Sequence, residues 1–115
     1  SKHGNNHANY HYEDLRKLHD AYCTGDYKNP AVIVDTNHSN SGKKYLEQVR
    51  IANEVLHSMR HSDDIKKMVK GFMVESYIED GNQKVEDGVY GKSITDPCLG
   101  WEKTKEMIYT IADQL

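Results

Sequence analysis

The feature that most constrains this chain is Ala31-Val32-Ile33-Val34, an apolar run with no polar residue in alternation. Such a run reads as a strand covered on both faces, the pattern of a parallel sheet. It stops at Asp35. A polar, turn-forming stretch follows at once, Thr36-Asn37-His38-Ser39-Asn40-Ser41-Gly42, and a helical pattern begins at Lys43. A strand that opens into a polar loop before a helix places that loop at the carboxyl end of the strand, the edge where α/β folds bind ligands. His38 stands there, and reads either as a site residue or as an ordinary surface-loop histidine.

A second unit repeats the arrangement. Gly71-Phe72-Met73-Val74 is apolar and ends in a carboxylate, Glu75. Between the two runs, an amphipathic helix is expected from Lys43 to His57 or Met59. Leu46, Val49, Ala52, Asn53, Leu56 and Met59 trace its stripe, widened by Tyr45, Ile51 and Val55; Glu47, Gln48, Arg50 and Glu54 fall opposite. Ser62-Asp63-Asp64 is a helix-start signal, with acids at the positive end of the dipole, and a short turn from Ile65 to Val69 follows. Strand, helix, strand makes a βαβ unit with a right-handed crossover. Both strands then point their carboxyl ends the same way, so His38 and Glu75 face one pocket.

The flanks are helical. One helix is predicted from Glu13 to about Tyr22, capped by Gly25, and a last one from Trp101 to Ala112 with Trp101, Thr104, Met107 or Ile108, Ile111 and Leu115 as its apolar stripe. Residues 1–12 lack apolar periodicity and read as a loop. Their histidines fit no structural zinc spacing. Ser76 to Tyr90 is a long polar loop with turn signals at Asp80-Gly81 and Asp87-Gly88. It leads into Gly91 to Gly100, where Lys92, Ser93, Thr95 and Asp96 lie close together. The expected fold is α/β, with two parallel strands and about three helices in one segment of a single domain: residues 1–12 a loop, residues 13–115 a helix plus two strand–helix units.

With 115 residues the length suits one domain. The formal net charge of −3 supplies no broad basic field, so nucleic acid is not an expected partner. No apolar run approaches the roughly 20 residues of a membrane span. No secretory leader is visible, and a cytoplasmic location is expected. Cys23 and Cys98 form no CxxC pair and read as free thiols, with Cys98 a bystander. Gly88, Gly91 and Gly100 do not make a phosphate-binding glycine motif.

The chemistry that remains is that of His38, Glu75 and Asp96. One imidazole and two carboxylates suit a divalent cation such as Mn, Fe, Co or Zn. They also leave open positions where a substrate oxygen can bind. The plainer readings are a hydrogen-bonded loop histidine, a carboxylate in an ion pair, and Asp96 as a helix cap. Lys43 and Lys92 are candidate partners for phosphate or carboxylate groups.

Three stretches carry a resemblance. PAVIVDTNHSNSGKK (30–44), GFMVESYIEDGNQ (71–83) and YGKSITDPCLGWEKT (90–104), in that order, resemble the last third of the class I, microbial type of 3-deoxy-7-phosphoheptulonate (DAHP) synthase. A sister family, 3-deoxy-octulosonate 8-phosphate synthase, fits GNQ and SITDPCLGW less well. The resemblance implies the carboxyl-terminal part of a TIM (β/α)8 barrel that condenses phosphoenolpyruvate with erythrose 4-phosphate, at the entry to the shikimate pathway. It implies a divalent metal held by a cysteine, a histidine, a glutamate and an aspartate. The last three fall on His38, Glu75 and Asp96, and Lys92 and Asp96 are the expected catalytic residues. The family's metal cysteine lies upstream and matches neither Cys23 nor Cys98. A family arginine falls on His3 or before Ser1. Two strands cannot close a barrel. The expected partners are therefore the remaining amino-terminal barrel segment and further copies in a homo-oligomer, and the segment alone is expected to be inactive. The alternative is a non-catalytic, self-associating barrel fragment or interaction module.

Overall fold

The computed structural model describes residues 7–25 and 28–115. The first part of the expected opening loop, including His3, and the turn residues Asp26 and Tyr27 lie outside the described residues. In chain order the elements are α1 (Tyr12–Thr24), β1 (Val32–Asp35), a one-turn α2 (His38–Ser41), a 3-10 turn (Tyr45–Glu47), α3 (Gln48–His61), α4 (Asp63–Met68), β2 (Val69–Met73), a second 3-10 turn (Val85–Asp87) and α5 (Trp101–Asp113).

The two strands pair in parallel. Val32 stands opposite Val69, Ile33 opposite Gly71, Val34 opposite Phe72 and Asp35 opposite Met73, with an irregularity between Val32 and Ile33. The connection runs through α3 and α4, as a parallel pair requires. Val34 and Val69 pack with Leu15, Ile51, Val55, Ile65 and Met68 in the main core; Ala52, Leu99 and Met107 form a second cluster, against which Phe72 and Val74 pack. The expectation of strands covered on both faces is corrected here. Among the described residues one face is covered, while Ile33 and Met73 are 60% and 48% exposed on the strands.

Among the boundaries that differ from those expected, such as the start of α1 at Tyr12 and the helix α4 where a short turn from Ile65 was expected, three bear on the site. β2 starts at Val69 and ends at Met73, so Glu75 stands beyond the ladder and not at its last rung. β1 is shifted one residue forward and includes Asp35. The helix predicted from Lys43 is interrupted: Gly42 and Lys43 both take left-handed backbone angles, and the tighter 3-10 turn follows before α3 proper. That turn resets the helical phase. Leu46, placed on the apolar stripe by its spacing, is 56% exposed, and Gln48, placed on the polar face, is fully buried beside Ile51, Ala52, Val55 and Leu56.

The ends of the helices follow simple rules. Ser62 caps α4, its hydroxyl accepting from the Ile65 amide at 3.4 Å, with Asp63 and Asp64 in the first turn. An ion pair between Arg16 and Asp64 (3.0 Å) ties α1 to α4. In α5, Thr104 and Met107 are buried as expected, whereas Trp101 and Ile108, and Leu115 beyond the helix end, are exposed. No helix among the described residues is long and apolar enough to cross a membrane.

Candidate metal centre

The site begins where β1 stops. Asp35 bends the chain: its Oδ1 accepts the Asn37 amide at 2.8 Å, and its carbonyl accepts from Asn40 Nδ2 at 2.7 Å. Asn37 is fully buried and takes a hydrogen bond from Ser41 Oγ at 2.6 Å. These contacts close the polar loop into the single turn of α2. His38, with φ of 50°, is thereby held in the left-handed region, an uncommon conformation that is found at functional sites.

His38 Nδ1 lies 2.7 Å from Asp35 Oδ2. A carboxylate only accepts, so the Asp35 contact keeps a proton on Nδ1 and makes Nε2 the nitrogen that could ligate a cation. Nε2 points at two more carboxylates, 3.4 Å from Glu75 Oε1 and 3.2 Å from Asp96 Oδ2. One donor atom from each of His38, Glu75 and Asp96 lies within 4.8 Å of the others, and all three residues are half-buried. Three acids around one imidazole raise its pKa, the hydrogen bond it donates to Asp35 most of all. Asp96 is held below the usual carboxylate range, first by its hydrogen bond with Lys43, whose Nζ is 3.2 Å from Asp96 Oδ1.

Glu75 and Asp96 come from separate segments, and backbone contacts fix both. The Glu75 amide donates to Gln48 Oε1 at 2.9 Å, and its carbonyl accepts from Gln48 Nε2 and from the Leu99 amide, each at 2.9 Å. Gly81 and Cys98 exchange two backbone hydrogen bonds, at 2.8 and 3.0 Å. The Gln83 amide donates to Ser93 O, its Nε2 to Val89 O and Lys92 O, and Asn82 Nδ2 to Thr95 O. Gly81-Asn82-Gln83 therefore braces the loop that presents Asp96. The expected long polar loop is a scaffold for the site.

The structure thus brings together His38, Glu75 and Asp96. Asp96 does not cap a helix: the residue before α5 is Gly100, whose amide donates to Asp80 Oδ1 at 2.7 Å. Lys92 is half-buried and forms no ion pair among the described residues; its carbonyl is held by Gln83. Cys98 is buried, which pushes its thiol pKa up, and Cys23 is exposed; neither joins the three. Sequence reasoning missed Asp35 and Gln48. The i, i+3 spacing of Asp35 and His38 was the available signal for the first.

One imidazole nitrogen and two carboxylate oxygens converging at this distance fit a borderline or hard divalent cation, with the second imidazole nitrogen already engaged. The family model described as the DAHP synthetase I family matches residues 1–108. The chain belongs to the DAHP synthetase I family. The Trp-sensitive phospho-2-dehydro-3-deoxyheptonate aldolase of Enterobacter agglomerans is 36% identical over 113 residues, covering 96% of this chain and 31% of the relative. The phospho-2-dehydro-3-deoxyheptonate aldolase of Haemophilus influenzae is 36% identical over 114 residues, with 96% and 30% covered. The structure of the phospho-2-dehydro-3-deoxyheptonate aldolase from Francisella tularensis SCHU S4 superposes with a TM-score of 0.83 at 28% identity, covering 94% of this chain and 31% of that one. This member of the DAHP synthetase I family therefore spans about a third of the length of these relatives.

Proposed function

We propose that this chain supplies three metal ligands and part of the catalytic face of a (β/α)8 barrel that condenses phosphoenolpyruvate with erythrose 4-phosphate, the DAHP synthase reaction of the shikimate pathway. The observation that carries the reading is the convergence of His38, Glu75 and Asp96 at the carboxyl edge of two parallel strands in a member of this family. The cation would be Mn, Fe, Co or Zn, and when bound it would polarise the aldehyde of erythrose 4-phosphate. His38 would ligate through Nε2, with Asp35 keeping the proton on Nδ1. Glu75 and Asp96 would supply oxygen donors and balance the positive charge. Lys43 restrains Asp96, and Lys92 meets a phosphate or carboxylate group of a substrate. C3 of phosphoenolpyruvate attacks the aldehyde, water adds at C2, and phosphate leaves.

In this reading residues 1–115 are one segment of a single barrel domain. The open face at Ile33 and Met73 meets the remaining barrel segment, which brings the fourth ligand and most of the groups that hold phosphoenolpyruvate. The assembled enzyme is a cytoplasmic homo-oligomer, and the chain alone is inactive. The experiment combines this chain with the remaining barrel segment, Mn(II) and both substrates and follows phosphate release. Release that stops on chelation and returns with Mn(II) is expected. His38→Ala or Glu75→Ala should abolish it; undiminished turnover in either would remove that residue from the site. The exposed Ile33 and Met73 also suit a self-associating, non-catalytic fragment. Stable self-association together with no phosphate release from intact segments would favour that reading.

A further inference from the structure

We infer that Gln48 is a positioning residue for the metal centre: its carboxamide replaces a strand partner for Glu75 and fixes where that carboxylate stands. The inference rests on the reading of His38, Glu75 and Asp96 as metal ligands.

The ladder ends at Asp35 and Met73, so Glu75 lies past the last strand pair. A backbone amide and carbonyl enclosed there need partners. Gln48 provides one to each, beside the Leu99 amide that also donates to the carbonyl. Oε1 accepts from the Glu75 amide and Nε2 donates to the Glu75 carbonyl, each at 2.9 Å, a two-bond exchange like that of a hydrogen-bonded strand pair. The orientation of the carboxamide is unambiguous, because the Glu75 amide can only donate and its carbonyl can only accept. Oε1 accepts a second hydrogen bond, from Thr36 Oγ1 at 2.9 Å. Thr36 is fully buried, follows β1 directly and stands two residues before His38.

One side chain therefore links the backbone that carries Glu75 to the segment that carries His38. It is mounted on a firm base. Gln48 is the first residue of α3 and has no exposed surface, and Ile51, Ala52 and Val55 anchor the same helix in the core. A surface glutamine would have no reason to make this set of contacts. A carboxamide of this length satisfies them all, whereas a glutamate sets an oxygen against the Glu75 carbonyl and a leucine offers nothing to either group.

The test measures Mn(II) binding to this chain assembled with the remaining barrel segment, without substrates, from the electron paramagnetic resonance signal of free Mn(II). Gln48→Glu and Gln48→Leu are compared with wild type, with His38→Ala as the control for the site. Both Gln48 variants should bind Mn(II) about 10- to 100-fold more weakly at unchanged circular dichroism, and the absorption bands of the Co(II) form should shift. A folded Gln48→Glu protein with wild-type affinity and wild-type Co(II) bands would overturn the inference. So would loss of fold in both variants, which would assign Gln48 to the scaffold alone. Wild-type protein that binds no Mn(II), or a His38→Ala protein that binds it normally, would instead overturn the metal reading itself.

Discussion

Asp35, the last residue of β1, and His38, three residues on, meet side chain to side chain at 2.7 Å, carboxylate to Nδ1. That contact decides which imidazole nitrogen is left for chemistry. In Asp35→Asn the carboxamide oxygen can still accept the Asn37 amide, but its NH2 then faces Nδ1. The imidazole is driven to carry its proton on Nε2, the nitrogen that faces Glu75 and Asp96. We expect Mn(II) affinity to fall about 10- to 100-fold. Nitrogen-15 NMR of the histidines should show the tautomer exchanged; an unchanged tautomer with full affinity would remove Asp35 from this role.

Asp80 stabilises the start of α5 from a distant loop. Its Oδ1 accepts the Gly100 amide and its Oδ2 pairs with Lys103. Its pKa is lowered from the usual 3.8, chiefly by the Lys103 hydrogen bond. A carboxyl depressed in the folded state contributes stability above its unfolded value, and that contribution is lost as pH falls through the lowered value. Wild type should therefore be more stable than Asp80→Asn at neutral pH, with the gap narrowing below about pH 4. Urea titrations across that range read the difference; a gap independent of pH would exclude the ionised pair as its source.

Gly100 is small for a reason its backbone angles do not supply, since φ of −67° suits any residue. A Cβ there would come within 2.6 Å of Asp80 Oδ1 and 3.1 Å of the Asp80 amide nitrogen. Gly100→Ala should force this loop away from α5 and destabilise the protein by about 1–3 kcal/mol. Equilibrium unfolding in urea checks the value, and a stabilised variant would contradict the tight approach.

Two apolar residues near the start of α3 should respond in opposite ways. Ile51 is fully buried and Leu46 is 56% exposed. Ile51→Ala should cost about 2–5 kcal/mol, and Leu46→Ala should stay within about 0.5 kcal/mol. Equal losses, measured by thermal or urea unfolding, would show that α3 docks by the stripe its spacing suggests.

Those two residues also mark how far the sequence could be read. The parallel pair, the helical crossover and the shared edge of His38 and Glu75 follow from apolar runs that stop at polar loops, whereas Asp96 joins them in the sequence only as a loop carboxylate and through the family resemblance. The phase of α3 is not visible in one dimension. Left-handed angles at Gly42 and Lys43 and a 3-10 turn intervene, and a count at 3.6 residues per turn from Lys43 then assigns Leu46 to the core and Gln48 to solvent. Gln48 was hidden for a second reason: a buried carboxamide is legible only when its backbone partners are known, and Glu75 lies on another segment. The supports from Gln83 and Asp80 are of the same kind, local in space and remote in sequence.

The bond from the Glu75 amide to Gln48 Oε1 gives this backbone proton an unusual informant's role. Most slowly exchanging amides in a sheet report on the strand beside them. This one is sheltered by a side chain on a helix, so its deuterium exchange follows the seating of the first turn of α3 and not the opening of the strand ladder. A comparison of its exchange rate with that of the Thr36 amide, which donates to Met73 O at 2.9 Å, would time the helix and the sheet separately within one small region.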